Sequence, residues 1–104
     1  MENEKQLVGQ AAPEQIEAWK KEHGRIFSTT ADGHVGYFRK PNRKELSYAL
    51  SLQSKPLEMT ETLMRQCFVG GSSVFIDDVE YMLGCGDALI EKLVNMKMAD
   101  VGEL

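Results

Sequence analysis

The sequence predicts a small α+β protein: a helical domain of about four to five helices carrying one antiparallel β-hairpin. Three observations carry this. Asp32-Gly33 stands between two strand-forming stretches, Arg25 to Ala31 and His34 to Lys40, and is a strong two-residue hairpin signal. Elsewhere apolar residues recur at helical spacing. Pro13, Gly24, Pro41, Pro56 and Gly70-Gly71 stand where those periods start and stop.

A chain of 104 residues makes one domain, expected over 13–98, between a flexible lead-in at 1–12 and a frayed tail at 99–104. Pro13 opens the first helix, which runs to His23 with acids early and lysines late before Gly24. Ile16 and Trp19 share one face, and Trp19 is its anchor. A two-residue turn fixes the hairpin register, with Ala31 facing His34, Thr30 facing Val35, Ser28 facing Tyr37 and Phe27 facing Phe38. Phe27 and Phe38 then form a cross-strand pair on one side, with Ile26, Val35 and Tyr37 on the other. A lone hairpin is marginal in water, so this arm must pack on the helices, pair with another strand, or both.

Pro41 ends the second strand and Asn42 is placed to cap a helix from Arg43 to about Gln53. A third helix is expected from Pro56 to Phe68, with a broad apolar face that includes Met59, Leu63, Met64 and Cys67. Gly70-Gly71-Ser72-Ser73 reads as a flexible break. Asp77 then caps a short helix or turn ending at Gly84, and a last helix spans about Asp87 to Met98.

Chemistry is sparse. The formal charge of −4 disfavours general nucleic-acid binding. No apolar run is long enough for a membrane span, and the polar start leads into no signal-peptide core. A cytoplasmic location is expected. Cys67, Cys85, His23 and His34 lack metal-ligand spacing, so no metal or other cofactor is expected. Neither thiol has the setting of a nucleophile, and the Gly-rich stretches lack the lysine of a phosphate loop, so no catalytic residue is assigned.

What remains is interaction surface. Arg39, Lys40, Arg43 and Lys44 form a basic corner, against an acidic C-terminal third with Asp77, Asp78, Glu80, Asp87 and Glu91. Head-to-tail self-association between these ends is one expectation, and it would weaken as salt rises. Candidate contacts are Phe27, Tyr37, Phe38, Arg39, Lys40, Arg43, Lys44, Met59 and Met64: the hairpin faces, the basic corner and the adaptable methionines.

The order of these features resembles small tail assembly chaperone-like proteins of tailed bacteriophages and prophages, over roughly residues 14–98. The pattern is a helix with Trp19-Lys20 before Gly24, then a strand and the Asp32-Gly33 turn. A strand closing as Tyr37-Phe38-Arg39-Lys40-Pro41-Asn42-Arg43 follows. Then come an amphipathic helix pair with Cys67 near its end, Gly70-Gly71, an acidic segment and a last helix. The resemblance implies a protein in the bacterial host cytoplasm that is not an enzyme. It implies a protein partner, a long helical tape measure protein and/or tail tube subunits, with a homo-oligomer expected. It fixes no site residues. Alternatives are a structural virion or adaptor protein retained in the particle, and a small nucleic-acid-binding regulator using the basic corner.

Overall fold

The structure, a computed structural model, describes residues 7–94 and 100–104. Its hairpin has the register that the sequence dictates: β1 (Ile26–Ala31) pairs antiparallel with β2 (His34–Arg39), Ala31 opposite His34 and Phe27 opposite Phe38. The turn residues Asp32 and Gly33 have φ of 51° and 80°. Two consecutive left-handed residues match the right-handed twist of the flanking strands.

The hairpin both packs on helices and pairs with another strand. A third strand, β3 (Phe68–Gly71), lies antiparallel on the other edge of β2, giving the order β1-β2-β3. The stretch expected as a Gly-rich break is therefore half strand. Phe68 sits opposite Phe38 with the rings edge to face at 5.5 Å, and a register shift follows before Gly70 meets Tyr37. Val8 adds an isolated parallel bridge to the start of β2: its N–H donates to Gly33 O and its C=O accepts from Val35 N–H. Residues 7–12, expected to be loose, are thus tied to the sheet, while 1–6 lie outside the described residues.

Among the described residues there are five helices, of which the first, third and fifth pack directly on the sheet. α1 (Pro13–His23) lies on the face that carries Tyr37, with Trp19 5.3 Å from the Tyr37 ring. This close approach depends on Gly70, where a Cβ would stand 2.5 Å from Trp19 Cζ2. Gly70→Val is expected to push Trp19 aside and cost about 1–3 kcal/mol. The chain has one tryptophan, so a red shift and loss of intensity in its fluorescence report the displacement directly.

α2 (Arg43–Leu50) opens on a capping box, Asn42 with Glu45, and packs on α3 (Pro56–Cys67). α3 buries Thr60, Leu63, Met64 and Cys67, one stripe at helical spacing. After the short α4 (Val74–Asp77), Asp78 caps α5 (Val79–Leu93) by accepting from Glu80 N–H. α5 runs unbroken through Gly84 and Gly86, where the sequence suggested two separate elements. Each glycine costs about 1 kcal/mol in a helix. Met82, Cys85, Leu89 and Leu93 form one buried stripe, and Gly86 lets Thr60 of α3 approach to where a Cβ would lie only 2.8 Å away. Continuous burial outweighs the local penalty. The expected extension of this helix over 95–98 lies outside the described residues, and 100–104 are exposed without regular structure.

The main core lies between the other sheet face and α3–α5, with Phe38, Met64, Cys67, Phe75, Met82, Cys85, Leu89 and Leu93 in one cluster. Both faces of the hairpin are therefore covered.

Candidate interaction surfaces

The candidate contacts sort by burial. Phe38 and Met64 are fully enclosed in the core, Tyr37 is buried beneath Trp19, and Phe27 packs half-buried against the core cluster. Met59 and Lys40 are half-buried. None of the three buried side chains is presented to a partner in this conformation. Their strand and helix faces were legible from the sequence, whereas which of those faces other elements cover was not.

Arg39 is also occupied. Its Nη1–H donates to Glu45 Oε1 at 2.8 Å and its Nη2–H to Glu45 Oε2 at 2.7 Å, while Nη2–H also donates to the Gln66 carbonyl at 2.7 Å. Glu45 in turn accepts from Asn42 N–H at 2.9 Å. One ion pair thus joins the end of β2, the start of α2 and the end of α3. The Arg39 hydrogen bonds hold the Glu45 carboxyl below its ordinary value, and the same bonds raise the guanidinium. The basic corner that faces solvent reduces to Arg43 and Lys44, with Lys40 beside them; none of these three has an ion pair among the described residues.

The same two helices, α2 and α3, leave large apolar groups in solvent. Tyr48, one turn beyond Lys44 on α2, is 57% exposed, and Leu57 in the first turn of α3 is 65% exposed. Val79 and Leu83 form a second exposed pair, one turn apart on α5. These four residues were not among the sequence candidates. Each sits at the edge of an apolar stripe, and only the packing shows which side of the stripe stays open.

A second surface follows β1. β1 and α5 run side by side in opposite directions, and two cavities open between them. One, of about 320 Å³, is lined by Thr30, Asp32, Glu80 and Gly84; the other, of about 430 Å³, by Arg25, Ser28, Thr29, Ala88 and Lys92. The groove is acidic at one end and basic at the other.

The remaining polar contacts lock loops. His34 Nδ1 and Ser72 Oγ lie 2.8 Å apart, joining the hairpin turn to the end of β3, and Tyr81 O–H donates to Asp32 Oδ2 at 3.0 Å. Asp32 thus bonds Tyr81 and not the imidazole. Among the described residues no three His, Cys, Asp or Glu side chains gather as a metal site would require. No helix among them is long and apolar enough to cross a membrane. Both cysteines are free and buried. Burial pushes the Cys67 thiol up to about 11, with Arg39 only partly opposing it. Native protein is accordingly expected to leave Cys67 unmodified by a thiol reagent at neutral pH, with reaction at this site only on unfolding, as peptide mapping by mass spectrometry would read.

No family model matches this chain, and no curated protein matches it. Among solved structures, an uncharacterised protein from Bacillus stearothermophilus is similar, with a TM-score of 0.57 at 18% identity over 84% of this chain and 99% of that one. At that identity the likeness extends to the fold alone.

Proposed function

We propose that this chain is a protein-binding module of the tail assembly chaperone kind, a cytoplasmic factor that is not an enzyme and holds an aggregation-prone helical tail protein during assembly. The observation that carries the reading is the exposed Tyr48, one turn from Lys44 on α2, together with the exposed Leu57 in the first turn of α3. Apolar groups beside cations that have no ion pair among the described residues suit an amphipathic helix whose polar face is acidic. The order of sequence features supports the same reading.

Co-expression with the long helical tail protein tests it. The partner's soluble fraction should rise and a complex should co-elute. Tyr48→Ser with Leu57→Ser should abolish both effects while leaving the fold intact by circular dichroism. Unchanged solubility with no complex removes the proposal. Finding the chain in purified particles favours the retained adaptor instead.

A further inference from the structure

The outer edge of β1 leaves a row of backbone hydrogen-bonding groups without partners among the described residues. The two-residue turn makes Ala31 and His34 a bonded pair, so Ala31, Thr29 and Phe27 turn their backbone groups toward β2. Ile26, Ser28 and Thr30 turn theirs outward, and among the described residues those groups have no partner. Edge strands are ordinarily guarded by charged side chains, proline, bulges or a covering element. Ile26-Phe27-Ser28-Thr29-Thr30-Ala31 contains no charge and no proline, and its pairing to β2 has no bulge.

We infer that this edge is closed by a second copy of the chain, β1 against β1 in antiparallel register with Ser28 on the two-fold axis. Ile26 of each copy then lies opposite Thr30 of the other, and the outward N–H and C=O groups of all three residues are matched. The groove beside the edge selects this occupant through its charges. Arg25 and Lys92 line one end and Asp32 and Glu80 the other, so antiparallel pairing lays the basic end of each copy over the acidic end of its mate. Along α5, Glu80, Gly84, Ala88 and Lys92 recur every four residues, and all are exposed. Read in the opposite direction this row is acid against base, with its two smallest residues nearest the axis. Gly84 has open space where its Cβ would lie, so the helix leaves room there for a neighbouring helix. The result is a six-stranded sheet that continues across two molecules.

This inference concerns a surface other than the Tyr48–Leu57 region and does not rest on the chaperone reading. A chain that dimerises yet fails to hold the tail protein keeps the one and removes the other.

Analytical ultracentrifugation of the full chain is the test. The wild type should sediment at twice the 11.7 kDa chain mass, with dissociation promoted by salt. Ser28→Lys sets two ammonium groups face to face on the axis, at a side chain that is exposed in the single copy, and should give monomer with an unchanged circular dichroism spectrum. Lys92→Glu should weaken the dimer roughly tenfold at low salt, and adding Glu80→Lys should restore it. Three results overturn the inference: a wild type that stays at single-chain mass at every concentration, a dimer indifferent to Ser28→Lys, or a charge swap that fails to restore. In a monomeric wild type, slow hydrogen exchange at Ile26, Ser28 and Thr30 would assign the edge to residues of the same chain instead.

Discussion

Phe38→Ala is expected to destabilise the protein by about 3–5 kcal/mol, a large part of the roughly 5–15 kcal/mol that holds a domain of this size together. Phe38 is fully enclosed, set edge to face on Phe68 and surrounded by the core cluster that α3, α4 and α5 supply. Truncation removes the ring's transfer free energy and leaves a cavity that β2, pinned on both edges, cannot collapse to fill. Urea unfolding at one fixed protein concentration reads the loss, since any self-association adds its own stabilisation. Tyr48→Ser is the matched control: an exposed aromatic whose removal should move stability by less than about 0.5 kcal/mol. If Phe38→Ala left stability intact, the ring would be a surface contact, as the alternation of β2 by itself allows.

That contrast marks what the chain reveals before it is folded. Asp32-Gly33 dictates a turn type, the turn dictates a register, and the register dictates which side chains share a face; each step is local. Whether a face is covered is not local. Tyr37 is buried because Trp19 reaches across from α1, and Trp19 reaches because Gly70, 51 positions along the chain, has no side chain. β3 escaped notice for a related reason. Phe68-Val69-Gly70-Gly71 is too short and too rich in glycine to show a period of two, and it becomes a strand only because β2 offers it an edge. Gly84 and Gly86 misled in the opposite direction: by propensity they end a helix, but the stripe of Met82, Cys85, Leu89 and Leu93 carries the helix through them.

The basic corner shows the same division between residue type and role. Four cations within six positions suggest a docking patch, and Arg43 and Lys44 remain available for one. Arg39 instead does structural work that no spacing rule announces, because one of its acceptors is the Gln66 carbonyl, 27 residues away. Asn42 was legible as a helix cap, whereas Glu45 did not stand out; its parts in the capping box and in accepting both arms of a guanidinium appear only once β2 and α2 meet.

Arg39→Met is therefore expected to cost about 2 kcal/mol at neutral pH, the scale for losing charge-assisted hydrogen bonds in a part-buried, bidentate pair. The substitution leaves the Glu45 carboxylate and the Gln66 carbonyl short of donors, while a methionine of similar length still fills the space. The pH dependence follows from the direction of the Glu45 shift. Its carboxyl is held below the ordinary range in the folded protein by Arg39 first and by the Asn42 N–H as well. Folding then favours the ionised form, so the pair's contribution is complete above roughly pH 4.3, where an unfolded glutamate is itself ionised. The contribution is lost as pH falls through the lower folded value, because the protonated acid no longer attracts the guanidinium. Wild type and Arg39→Met should thus differ most at neutral pH and converge in acid. Glu45→Gln, which keeps a helix-start acceptor and one hydrogen bond to Arg39, should show a smaller loss that also shrinks in acid, because the protonated glutamic acid reached there is what the amide imitates. A gap between wild type and Arg39→Met that stayed constant from pH 7 to pH 3 would mean that Arg39 acts through the packing of its stem, with its charge contributing nothing.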